Sequence, residues 1–363
     1  MHVSSTITII TILIFFNTVC KEPGDDLPKQ DESLKGVAPF PVGASISPTL
    51  LQNNAAYKNV LTTEMNSITP ENAMKFGGLH PQPGTYTFSA ADVIVDFAQS
   101  QNKRLHGHTL VWHQSLPNWL VQFGGDSAAW EGVLKQHIQM VVGRYKGKLA
   151  SWDVVNEAFQ DNGTLRLPDT DTSSRDNGSI WARKLGRDYI ARAFRYAREA
   201  DPALVLFYND YGQEYSTAKT LAIKNMVTDF KTRGVPIDGI GLQMHININT
   251  SRSGIINAFT QLAGTGLKIH ISELDISVNP KSDPAIIYSD SIQKAQGDLF
   301  AFVVQQYKML VPKPQQYGIT TWNVGDADSW IRSNYKRKDW PLLFDDNYQK
   351  KPVYYDFLKA LKN

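Results

Sequence analysis

A single cysteine in 363 residues, Cys20, excludes an internal disulfide framework. The apolar run Ile7 to Phe16 is too short to cross a bilayer and has the length of a secretory signal segment. Neither sign of charge dominates: 37 Lys and Arg stand against 35 Asp and Glu, leaving no electrostatic footprint for nucleic acid. There is no glycine-rich phosphate loop and no Gly-x-Ser-x-Gly elbow, so two common catalytic scaffolds drop out. No repeat or low-complexity tract divides the chain.

Cys20 directly follows the apolar run, a placement that resembles the lipid-modified cysteine of bacterial lipoproteins. Residues 1–20 are therefore expected to be a signal peptide ending at a lipidated cysteine. Lys21 to Leu34 is polar, acidic and without periodicity, as in a flexible tether. The expected location is the outer membrane or surface of a bacterium, with membrane contact only through Cys20; secretion or the periplasm is the alternative.

From Lys35 to Asn363 eight strand-like stretches alternate with amphipathic segments. The strands are expected near Phe40–Ser45, Ser67–Thr69, Arg104–Trp112, Ser151–Val155, Leu204–Tyr208, Ile240–Met244, Leu267–Ser272 and Gly318–Trp322. Helical patterns include Ala90–Gln101, Trp130–Tyr145, Arg187–Ala200, Ala218–Thr232 and Lys294–Leu310. Eight such units predict one (β/α)8 TIM barrel, whose active face is the rim at the carboxyl ends of the strands. Polar and aromatic residues gather at those ends: Glu71, Asn72 and Lys75; His106, His108, Trp112 and His113; Asn156 and Glu157; Asn209, Asp210 and Tyr211; Gln243 and His245; Glu273 and Asp275; Trp322.

Two of these are glutamates that end apolar strands. The run W-D-V-V before Asn156 and Glu157 leaves little room for a solvated carboxylate, and L-K-I-H-I-S ends in Glu273. Paired carboxyl groups can hydrolyse a glycosidic bond with retention, one as nucleophile and the other as acid and then base. Asp275 is two residues beyond Glu273, and His245 ends the neighbouring strand. A Glu–His–Asp chain would keep Glu273 ionised and oriented, which suits the nucleophile. Glu157 has no comparable basic partner and sits among apolar residues, which suits the acid. Asn156 is placed to donate to a sugar hydroxyl.

Several motifs resemble the endo-β-1,4-xylanases of glycoside hydrolase family 10. They are T-P-E-N-A-M-K (Thr69–Lys75), G-H-T-L-V-W-H (Gly107–His113), W-D-V-V-N-E-A (Trp152–Ala158), F-Y-N-D-Y (Phe207–Tyr211), D-G-I-G-L-Q-M-H (Asp238–His245), S-E-L-D-I (Ser272–Ile276) and D-A-D-S-W (Asp326–Trp330). They occur in family order across nearly the whole barrel. The resemblance implies Glu157 as acid/base and Glu273 as nucleophile, supported by Asn156, Asn209, His245 and Asp275. It further implies that Glu71, Asn72, Lys75, His108, Trp112, Gln243, Trp322 and Trp330 line the sugar sites on the glycone side. The implied partners are xylan and xylo-oligosaccharides, with no cofactor and a monomeric enzyme. Two positions depart from the pattern: Ser115 stands where the family has Gln, and Asn323 where it has Gly. With Ser115 shorter than Gln, glucose should be excluded less sharply unless Gln114 fills the gap. Two other readings compete. His106, His108, His113, His245 and His270 would suit a metal-dependent hydrolase. A non-catalytic glycan-binding barrel would retain the cleft without the chemistry.

Overall fold

The structure is a computed structural model that describes Met1, residues 32–166 and residues 178–363. Cys20 and the greater part of the expected tether lie outside the described residues. The end of that tether does not: Leu34 is fully buried, opens a short helix and donates its N–H to Glu64. Glu32 pairs with Lys362 at 2.8 Å. One apolar anchor at the end of a polar run is too little to register as periodicity.

Nine strands appear among the described residues: β1 (Val42–Ile46), β2 (Ser67–Pro70), β3 (Arg104–Gly107), β4 (Ser151–Asn156), β5 (Val205–Asp210), β6 (Gly239–Leu242), β7 (His245–Asn247), β8 (Lys268–Ser277) and β9 (Gln316–Thr321). All pairings are parallel, and β6–β8 together with β1–β9 close eight of them into a barrel. The short β7 pairs only with the far end of β8. Every residue of β1, β2, β4 and β6 is buried, as expected of parallel strands with helices outside and side chains filling the pore.

The helices follow the same logic. In Tyr189–Ala200 the buried residues Ile190, Ala193, Phe194 and Ala197 recur at helical spacing and face the sheet. Side-chain caps start several helices, including Asp126 onto Ala129 and Ser216 onto Lys219. Glycine matters where neighbouring strands crowd: a Cβ at Gly107 of β3 would lie 2.4 Å from the indole of Trp152, its register partner in β4.

Three strands depart from expectation. β3 stops at Gly107 rather than Trp112, although Leu110 and Val111 still donate to the carbonyls of Asp153 and Val154. β6 ends at Leu242, because Met244 takes a left-handed φ of 59° and breaks the run before β7. β8 continues to Ser277, so Glu273 lies inside a strand rather than at its end. The pairing of Asp275–Ser277 with β7 supplies that extra length.

Candidate active site

Glu157 follows β4 immediately, with φ of 56°. Left-handed backbone is uncommon for a residue with a Cβ and costs of order 1–3 kcal/mol, so the surroundings must hold it. They do. Its N–H donates to the Asn209 carbonyl, its own carbonyl accepts from Arg166, and the next N–H reaches the Tyr208 hydroxyl. On the opposite wall the β8–β9 register shifts between Ile271 and Leu274, around Glu273. Such irregularities re-aim a side chain out of the alternating pattern.

Both carboxylates enter one cleft of about 780 Å³ on the C-terminal rim. They belong to one network. Asn209 donates to Glu273 at 2.7 Å and to the Asn156 amide oxygen at 2.9 Å. Ser272 orients Asn209 by donating to its oxygen at 2.7 Å. Asn156 and Gln243 then donate to Glu157 Oε1 at 3.2 and 3.0 Å, and the Trp112 indole donates to Oε2 at 2.9 Å. Every one of these donors to Glu157 is uncharged.

Glu273 differs. His245 Nε2 lies 3.2 Å from its Oε2, and His245 Nδ1 lies 2.7 Å from Asp275. The Trp330 indole donates to Asp275 at 2.7 Å. Burial alone would raise the Glu273 pKa, but the His245 hydrogen bond and the His108 and His245 charges hold it below the usual glutamate range. Burial likewise works against a charged His245, yet Asp275 and Glu273 outweigh it and push the imidazole up to about 10. Asp275 itself is raised by burial, with His245 only partly offsetting this.

A second imidazole flanks Glu273. His108 Nδ1 lies 2.9 Å from Asp153 and 4.0 Å from Glu273 Oε1. Asp153 is almost fully buried in β4, where burial raises its pKa but His106 and His108 hold it low. Sequence reasoning missed this carboxylate by treating the strand as uniformly bulky. The only signal was one charged residue within a run otherwise too apolar to solvate it.

All eight residues expected to line sugar sites do line the cleft. Lys75 reaches Asn72 at 2.9 Å and stands over the Trp112 and Trp322 rings at 5.0 and 5.8 Å. Burial lowers its pKa, against the pull of Glu273 and Glu71. Trp112 and Gln243 also contact Glu157, a link the sequence did not suggest. Asn209 and Asp275 are buried beneath the floor instead, acting through Glu273 and His245. Gln114 lines the cleft, whereas Ser115 does not. Ser115 is exposed and spends its carbonyl on the Gly77 N–H at 2.8 Å. Gln114, rather than Ser115, therefore presents its side chain to the cleft.

The remaining histidines face other partners. His106 turns to Ser151 and Asp153, and His270 to Thr320. Burial lowers His113 to about 3, aided by the Arg166 and Lys219 charges. Among the described residues no group of three His, Cys, Asp or Glu side chains converges as metal ligands would.

Comparison with known proteins gives a consistent picture. A model of glycosyl hydrolase family 10 matches residues 32–360. Endo-beta-1,4-xylanase Xyn10C of Cellvibrio japonicus is 38% identical over 357 residues, covering 91% of this chain and 58% of that protein. Two further relatives are covered over only 26% and 28% of their length, so the chain spans roughly a quarter to three fifths of these proteins. Native xylanase 10B from Thermotoga maritima superposes with a TM-score of 0.82 at 35% identity, covering 91% of this chain and 98% of that one. A mutant of xylanase 10C from Cellvibrio japonicus in complex with xylopentaose gives 0.84 at 36% identity, covering 91% and 69%. This chain belongs to glycosyl hydrolase family 10.

Proposed function

We propose that this protein is a retaining endo-1,4-β-xylanase, with Glu273 as nucleophile and Glu157 as acid/base. The observation that carries the reading is the contrast between two glutamates in one cleft. Glu273 is flanked by two imidazoles backed by aspartates, which favour its ionised form. Glu157 instead accepts hydrogen bonds from the neutral groups of Asn156, Gln243 and Trp112. Relatives named as xylanases, and a relative's structure bound to xylopentaose, support the substrate class.

In the first step Glu273 attacks the anomeric carbon while Glu157 gives its proton to the departing glycosidic oxygen. In the second, Glu157 takes a proton from water, which attacks from the face the leaving group vacated, opposite Glu273, and displaces the Glu273 carboxylate. Two inversions give net retention. Asn209 holds the Glu273 oxygen while its other bond, to Asn156, ties it to the opposite wall. Each carboxyl group thus keeps its place when the other changes charge.

The test is a pair of alanine variants. Glu273→Ala abolishes turnover. Glu157→Ala forms the glycosyl-enzyme from aryl xylosides with good leaving groups, then stalls until azide is added, giving a retained glycosyl azide. Azide rescue confined to Glu273→Ala, with an inverted product, reverses the assignment. Early release of mixed oligomers from plain xylan tests endo cleavage. We also propose that the protein is exported, carries a lipid on Cys20 and acts as a monomer, readings that rest on the sequence.

A further inference from the structure

Lys219 is fully buried in the first turn of the helix Thr217–Thr232, which follows β5. Burial disfavours its charge, and so does the positive end of the helix dipole. Asp210, the last residue of β5 and also fully buried, outweighs both and raises the lysine pKa: its Oδ1 lies 2.9 Å from Lys219 Nζ. Although it ends a rim strand, Asp210 does not line the cleft. A buried ion pair contributes little stability beyond what apolar residues of the same size would give. This one is committed instead to the backbone around Glu157.

The contacts lead from the pair to a single peptide group. The Tyr208 hydroxyl donates to Asp210 Oδ2 and accepts the Ala158 N–H at 3.0 Å. Asp210 Oδ1 accepts the Tyr211 N–H at 2.9 Å, and the Tyr211 ring packs against Lys219 Nζ, 3.5 Å from its centre. The Tyr211 hydroxyl accepts from Arg166 at 3.3 Å, and Arg166 Nε donates to the Glu157 carbonyl at 3.2 Å. That carbonyl and the Ala158 N–H belong to the same planar peptide. It is gripped at both ends, and both grips lead back to Asp210 and Lys219. A rigid plane held at two points fixes ψ of Glu157 and φ of Ala158. The Glu157 N–H, given to the Asn209 carbonyl, fixes the preceding peptide. The left-handed φ of 56° at Glu157 needs such restraint from its surroundings.

We propose that Tyr208, Asp210 and Lys219 are positioning residues for the acid/base: they hold the peptide joining Glu157 and Ala158 so that the Glu157 carboxyl reaches the departing oxygen. The inference rests on the assignment of Glu157 as acid/base. None of the three lines the cleft, so they act through Glu157. Proton transfer needs a heavy-atom approach of about 2.6–3.2 Å, and a small rotation of this peptide withdraws the acid. Glu273, carried by β8, keeps its place.

The experiment is a leaving-group comparison on aryl xylobiosides with the full chain. A phenyl leaving group needs the proton, and a dinitrophenyl group does not. Tyr208→Phe removes the hydroxyl between Ala158 and Asp210. Lys219→Met keeps the side-chain length and removes the charge. Each should lower kcat/KM for phenyl xylobioside by roughly tenfold to a hundredfold, the range for a small misplacement of a catalytic group. For dinitrophenyl xylobioside the loss should stay within about twofold, because that step needs no acid. In a Glu157→Ala background, Tyr208→Phe should cause no further loss. Equal losses on both substrates, losses that add to those of Glu157→Ala, or undiminished turnover of phenyl xylobioside overturn the positioning role. If Tyr208→Phe does not fold, Lys219→Met decides. A Glu157→Ala variant without leaving-group dependence of its own overturns the acid/base assignment, and this proposal with it. A normal dependence there, with none in Tyr208→Phe and Lys219→Met, overturns only the positioning.

Discussion

His245 Nδ1 lies 2.7 Å from the Asp275 carboxylate, with its other nitrogen 3.2 Å from Glu273. One imidazole is held between two acids, and its pKa of about 10 records that. A histidine raised above its unfolded value of roughly 6.5 contributes stability that is complete below that pH. The contribution is lost as pH rises through about 10. Asp275→Asn should bring the His245 titration down by at least about one unit, as followed by NMR. The alkaline limb of kcat/KM should move to lower pH with it. A wild-type His245 that titrates near its ordinary value would sink this account.

Asn323 is a buried residue with φ of 80°, a conformation for which glycine carries no Cβ penalty. Its side-chain oxygen accepts the Trp330 N–H at 2.8 Å, and its own N–H reaches Ser45 at 2.7 Å. Trp330 in turn donates to Asp275. Asn323→Gly removes one hydrogen bond and relieves the backbone, two effects of about 1 kcal/mol and opposite sign. The melting temperature should barely move, while kcat/KM falls about twofold to tenfold. Asn323→Asp retains an acceptor and should restore activity. Parallel losses in stability and activity for the glycine variant would contradict the positioning role.

Sugar discrimination should follow Gln114 rather than Ser115. Gln114 lines the cleft and lies 3.4 Å from His113, whereas Ser115 is turned out and held by Gly77. Gln114→Ala should shift the kcat/KM ratio of aryl cellobioside to aryl xylobioside toward glucose by about tenfold, near the low end for one pocket contact. Ser115→Gln should leave that ratio in place. The reverse pattern would restore the view that Ser115 opens the site.

Cys20→Ser should move the protein from the membrane fraction to the soluble one without changing the specific activity of the barrel. Unaltered fractionation of the variant removes the lipid from the proposal.

Much of this molecule was legible from its sequence because parallel strands and amphipathic helices carry strong periods. The barrel, its rim, the two glutamates and the His245–Asp275 dyad all followed from strand ends and spacing. What escaped depends on breaks in those periods. The left-handed Met244 and the extra pairing of Asp275–Ser277 split or lengthened strands through contacts between distant segments. Asp153 was hidden because burial of a carboxylate becomes tolerable only once His106 and His108 arrive from another strand. Tyr215 sits in a turn and Tyr335 ends a short helix, where no period marks which aromatics stay uncovered.

The ion pair between Glu32 and Lys362 ties the two described ends of the barrel chain together. Leu361 to Asn363 also border Phe40, Pro41 and Gln316, at the amino ends of β1 and β9, on the face opposite the cleft. Any further module or tether joined at either end would therefore depart from the base of the barrel. It would leave the path of an incoming polysaccharide clear, so attachments could be exchanged without redesigning the catalytic mouth.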